Sequence, residues 1–384
     1  MPAAQMDYVA QVAALGYLFC RLRPQDLKPH PWKQRMSDTA TFDFSPSVFH
    51  QALAVRTEQA LRYRGGNFRD WHRELQSKLT GLLGYYGEDA VRGPLEVRTL
   101  WRREHPLGII EKLVFRAEPG VDVPAYLCLP RTARPPHTVF ICLQGHSTGM
   151  HNSIAVTYDD ESKAIPTEGD RDFGIGCMAR GIVALCLEQR SFGERREFIQ
   201  PQHLDYLCHQ AAMNALMLGT TLLAERIFDV DRAIDYLAQR GDVDMAGIGL
   251  MGNSGGGTAT MFAAALLPRV RYAMPSCCFS TFRDSILAMF HCVCNYVPNL
   301  LPVAEMGDIA GLIAPRPLVV VSGRDDGIFP VAPACAEFAR VREIYCAAGA
   351  ADRCHHVIGE GGHQFYADTA WPVMLAEMKR DVAR

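Results

Sequence analysis

Apolar positions recur along this chain with two different periods, and the change from one to the other divides it. Through roughly the first ninety residues the period is helical. Ser47 to Tyr63 and Phe68 to Leu83 repeat apolar residues at three- and four-residue intervals, and Gly65-Gly66 breaks the run between them. Met1 to Cys20 is apolar but carries Gln5, Asp7 and Gln11 and lacks a basic leader, so it reads as an amphipathic helix rather than a signal peptide. From Leu95 short apolar runs take over. Leu95 to Trp101, Gly108 to Phe115 and Val123 to Leu129 are expected as antiparallel strands. Strand and helix patterns then alternate. The strands are His137 to Leu143, Ile182 to Leu187, Ile248 to Met251, Arg271 to Pro275, Pro317 to Ser322 and His355 to Ile358. Between them lie helices at Asp172 to Arg180, Leu204 to Gln239 with a break near Gly219, Thr258 to Leu267, Val331 to Tyr345 and Ala367 to Val382. Such alternation implies an α/β fold, a mostly parallel sheet with helices on both faces. The expected organisation is a helical N-terminal extension, residues 1–94, followed by an α/β domain, residues 95–384.

Within this pattern two serines match G-x-S-x-G: Gly145-His146-Ser147-Thr148-Gly149 and Gly252-Asn253-Ser254-Gly255-Gly256. A nucleophile elbow needs a buried strand, a sharp turn and a helix packed close behind it, so its flanking residues must be small. Ser254 has all three, with Gly255-Gly256-Gly257 providing room and TATMFAAALL providing the helix. Ser147 follows a good strand but precedes no convincing helix start, which leaves it the lesser candidate. A serine nucleophile requires a base, and the base an orienting acid, each at the carboxyl end of a strand. Downstream they occur in the order Ser, Asp, His. Strand Leu318-Val319-Val320-Val321 ends in Ser322-Gly323-Arg324-Asp325-Asp326-Gly327, where Asp326 is the chosen acid and Asp325 the alternative. The last strand runs into Gly359-Glu360-Gly361-Gly362-His363, whose histidine is the candidate base; His355 and His356 lie in the strand itself and are expected to be structural. The oxyanion donors expected are the amides of Gly255 and His146. No substrate-binding residue is assigned.

Bulk composition narrows the partners. The 384 residues carry a formal net charge of -3, which leaves no electrostatic footprint for nucleic acid. No run is long enough to span a membrane. Thirteen cysteines are scattered without a disulfide spacing, and Cys128, Cys142 and Cys186 fall in core strands, which together suggest a reducing cytoplasm. His291-Cys292-Val293-Cys294, with Cys277-Cys278 before it, raises a metal site. The C-x-C spacing is tighter than the usual zinc pair and no second pair follows, so structural cysteines are expected and no metal or other cofactor is assigned. Arg190, Arg195 and Arg196 are read as fold-stabilising ion pairs in preference to an acidic-substrate site. Homo-oligomerisation is left open.

The segments G-N-S-G-G-G, S-G-R-D-D-G-I-F-P and G-E-G-G-H-Q-F resemble the α/β-hydrolase superfamily. More narrowly, with Gly307 to Pro317 and Gly193-Glu194-Arg195, the chain is similar to the bacterial dienelactone-hydrolase and acetyl-xylan-esterase-like branch, from about Leu95 onward. That resemblance implies an eight-stranded sheet, a Ser254–Asp326–His363 triad and metal-free hydrolysis of a small-molecule ester, an acetylated sugar among the candidates. Gln144 stands where many relatives carry histidine, and serine replaces the cysteine nucleophile of the dienelactone hydrolases proper. A peptidase or thioesterase with the same triad, or a binding protein on a hydrolase scaffold, are the alternatives. The segment Thr281 to Met306, rich in Phe, Cys, Tyr and Pro, is read either as a cover over the pocket or as a packed excursion.

Overall fold

A computed structural model describes residues 45–87, 90, 92–146, 148–197 and 208–382. The helix expected over Met1 to Cys20, the first turn of that expected from Leu204, and Ser147 lie outside these residues. The chain forms two compact units, Met1–Leu53 and Ala54–Arg384. The described part of the first is helical, in α1 (Pro46–Arg56). In the second, α2 (Phe68–Leu83) starts at Asn67, whose side chain accepts from the amides of Arg69 and Asp70, and stops at left-handed Gly84. Its Leu75, Leu79 and Leu83 are fully buried in the same apolar cluster as the sheet.

One nine-stranded sheet dominates, in the order β1-β2-β3-β5-β4-β6-β7-β8-β9. The strands are β1 Arg98–His105, β2 Gly108–Glu118, β3 Val121–Pro130, β4 His137–Leu143, β5 Val183–Leu187, β6 Val243–Asn253, β7 Tyr272–Ser276, β8 Leu318–Gly323 and β9 Cys354–Gly359. Pairing is antiparallel from β1 to β5 and parallel from β5 across β4 to β9. The count corrects the eight implied by family resemblance, while each of the nine apolar runs does contribute a strand. The reason is local: β1 and β2 close a hairpin over Pro106-Leu107, so RTLWRREH pairs as an exposed edge strand whose charges discourage further pairing.

Period-two alternation sends successive side chains to opposite faces. In β4, Val139, Ile141 and Leu143 enter one apolar cluster while Phe140 and Cys142 enter the other. The first face is covered by α2, by α5 (Leu222–Arg240) and by α6 (Gly255–Leu266), with α7 (Met306–Gly311) and α8 (Val331–Ala347) beyond. The second is covered by α3 (Phe173–Ala179) and α9 (Ala367–Val382), whose Trp371 packs edge-on against Phe140 at 5.0 Å. The stretch expected as one long helix is two, α4 (His209–Met217) and α5, separated at Gly219 with φ 83°. Thr221 then caps α5 by accepting from the amide of Ala224.

Candidate active site

Ser254 occupies the turn between β6 and α6, with φ 57° and ψ -123°. A non-glycine residue held there stores strain of about 1–3 kcal/mol, tolerated where surrounding packing dictates it. The packing explains the glycines. A Cβ on Gly256 would stand 2.1 Å from the carbonyl oxygen of Leu143, and one on Gly252 would stand 2.5 Å from that of Gly256. The amide of Ser254 donates to Ser276 O at 2.8 Å, which ties the elbow to the end of β7. Its hydroxyl does not cap α6. The side chain is therefore left unspent by the helix it precedes.

Asp326 follows β8. Its Oδ1 accepts from the amides of Ile328 and Phe329 at 2.8 and 3.1 Å, and its Oδ2 pairs with His363 Nδ1 at 2.8 Å. Burial opposes ionisation, but the His363 ring and the two amides outweigh it and hold the carboxyl below the usual range. An ionised carboxylate can only accept, so Nδ1 carries the proton of a neutral His363 and Nε2 presents its lone pair. Phe329 stacks on the imidazole, centroids 6.1 Å apart and 18° from parallel. Gly323 lets the two loops meet, because a Cβ there would lie 2.1 Å from Gly362 O. Asp325 is exposed and its amide goes to Gly361 O. His355 and His356 bond Glu377 and Ser322, each at 2.9 Å.

The structure thus joins Asp326 to His363 directly and sets Ser254 two strands away, where Cys277, next to the Ser276 that holds the elbow, lies within 4.8 Å of both Asp326 and His363. Among the described residues Ser254 Oγ is not hydrogen-bonded to the imidazole; such bonds often tighten only when substrate is bound. The loop after β4 completes the corner. A Cβ on Gly145 would be 3.0 Å from Ser254 Cβ, and one on Gly255 would be 2.7 Å from His146 Nδ1. Gly255 is the first residue of α6, so its amide has no acceptor within the helix.

Gln144 is buried and its side-chain amide is spent, donating to Ser153 Oγ and Arg171 O. Buried Glu188 ties the loops after β4 and β5 by accepting from the amides of Met150 and Glu194, and burial raises its pKa to about 7. Arg190 and Arg195 are neutralised by Asp229, with Glu118 and Glu225 also on Arg190, so they hold the fold together.

One residue that sequence reasoning took only as part of a possible metal run packs beside the base. His291, from the excursion between β7 and β8, accepts from Asn295 on Nδ1 and packs edge-on against Phe329, the residue stacked on His363. Burial, with His146 and His363 nearby, lowers its pKa to about 4, so it is a neutral hydrogen-bond donor through Nε2. The signal available was its position in the H-C-V-C run. A separate cavity of about 390 Å³, lined by Phe68, His72, Gln76, Ala314 and Pro315, lies before the start of β8 and hence at the wrong end of the strands for this chemistry.

A strained serine at a strand–helix elbow, on a sheet of this order, defines the α/β-hydrolase fold. No family profile matches the chain. It is 26% identical over 297 residues to a protein of Bacillus subtilis (strain 168) provisionally named as a hydrolase, YtaP, spanning 76% of this chain and 93% of that one. Among solved structures it is similar to a Bacteroides fragilis NCTC 9343 protein provisionally described as an acetyl xylan esterase, with TM-score 0.65, 14% identity and 83% of each chain covered. It is also similar to a glucuronoyl esterase from Solibacter usitatus, with TM-score 0.57 and 18% identity over 82% of this chain and 93% of that one. Carbohydrate esterases are thus its structural neighbours. Among the described residues no helix is long and apolar enough to cross a membrane.

Proposed function

We propose that this chain is a serine hydrolase of carboxylic esters. The observation that carries the reading is the 2.8 Å bond between Asp326 and His363 at the strand ends, in the same corner as strained Ser254. Ser254 Oγ attacks the ester carbonyl as His363 Nε2 takes its proton. Asp326 holds the ring in that tautomer and stabilises the imidazolium. The tetrahedral oxyanion is met by the amides of Gly255, at the helix start, and His146, in the loop after β4. His363 returns its proton to the leaving alcohol, then activates water to release the acid. No cofactor enters this scheme. The substrates named for the structural neighbours make an acetylated or uronoyl sugar ester the first to try.

A fluorophosphonate probe should label Ser254, and Ser254→Ala should lose both labelling and hydrolysis of p-nitrophenyl acetate. Labelling of the Ser254→Ala variant would overturn the assignment. Acetylated sugars, thioesters and peptide amides in the same panel decide the acyl class. A clear preference for decanoate over acetate would remove the sugar-ester reading.

A further inference from the structure

Beside the elbow, four potential metal ligands converge from three remote segments. His146 comes from the β4 loop, Cys208 from the start of α4, and Cys292 and Cys294 from the excursion between β7 and β8; their ligand atoms all lie within 4.8 Å of one another. His146 Nε2 is 3.0 Å from Cys294 Sγ, which is 3.3 Å from Cys292 Sγ. Tetrahedral zinc with bonds of roughly 2.3 Å to sulfur separates its ligand atoms by about 3.7 Å, so small outward shifts would admit an ion.

A second observation concerns charge. Arg226 is buried, and among the described residues it has no carboxylate partner. Its guanidinium donates to Cys294 Sγ and Cys208 Sγ, each at 3.3 Å, and to a single carbonyl, that of Arg190. Phe192 covers its face at 4.4 Å. Other arginines are satisfied differently: buried Arg232 and Arg353 by carboxylates, half-buried Arg316 by several carbonyls. A buried cation facing neutral thiols, which are weak acceptors, is poorly compensated.

We propose that His146, Cys208, Cys292 and Cys294 form a tetrahedral thiolate-rich metal site, zinc being the ion its ligands suit best. Zn²⁺ would displace three thiol protons to solvent and accept the lone pair of His146 Nε2. The resulting complex carries one net negative charge, which Arg226 offsets. Such a site clamps the excursion and α4 to the loop that carries an expected oxyanion amide. Its function is positional, and no step of the ester chemistry passes through the ion.

The test is metal analysis of the full chain, expressed with zinc and dialysed free of loosely held ions. Stoichiometric zinc is expected, retained in Ser254→Ala and lost in the Cys292→Ser/Cys294→Ser double variant. Cobalt(II) exchanged into the wild-type chain should give thiolate-to-metal charge-transfer bands and the intense visible bands of a tetrahedral site. A wild-type chain without zinc that also develops no cobalt–thiolate bands overturns the proposal, as does a disulfide among these cysteines found by mass spectrometry of freshly purified protein. Neither readout involves turnover, so an inactive enzyme with bound zinc would refute only the esterase reading.

Discussion

At the scale of single residues, two neighbouring aspartates have been given unlike surroundings. Asp326 has its side chain wholly buried against His363, whereas Asp325 faces solvent. Asp326→Asn would present an amide to Nδ1–H and favour the wrong tautomer. Its kcat should fall on the order of 10³–10⁴-fold with KM little changed, while Asp325→Asn should remain near wild type. The reverse ranking in steady-state kinetics would exchange their roles. His356 yields a prediction about pH. Burial, with nearby Arg342, lowers its pKa from 6.5 to about 4. Between those values the unfolded chain binds a proton that the folded one refuses, so this contribution to stability is complete above pH 6.5 and lost as pH falls toward 4. Relative to wild type, His356→Leu should therefore gain up to about 3 kcal/mol on moving from pH 7 to pH 4. Urea melts at the two pH values check it, and an unchanged difference would contradict it.

At the scale of elements, what could be read in advance was whatever has a local cause. Phe68–Leu83 and Ala367–Val382 lie where periodicity put them, and the elbow glycines announced their turn. The acid and base loops were legible because each follows an apolar strand. Remote convergence was not legible: nothing local in His291 or the C-x-C pair says which segments they will face. Caps show the same division. Thr221 caps its own helix locally, and its hydroxyl also donates to Leu83 O, 138 positions away, binding α5 to the end of α2. Thr221→Ala should cost about 1–2 kcal/mol, more than a cap in an isolated helix, because both bonds go. Chemical denaturation reads that loss; a cost below a few tenths would mean the long-range bond contributes nothing.

At the scale of the whole molecule, the eight-strand expectation fell short by one strand, since family resemblance describes a shared sheet and this chain adds an edge to it. The side of the sheet beneath α3 and α9 has a property that can be used directly. Cys128, Cys142, Cys177 and Cys186 lie there with no solvent exposure, while Cys335 and Cys346 on α8 are exposed. An aromatic disulfide reagent should therefore modify Cys335 and Cys346 at once. The four sheltered sulfhydryls should react only when that layer opens. Peptide mapping of a labelling time course distinguishes the two sets, and early modification of Cys142 would refute the burial. This chain thus carries an internal chronometer, whose slow phase reports the lifetime of its packed interior through its own sulfhydryls.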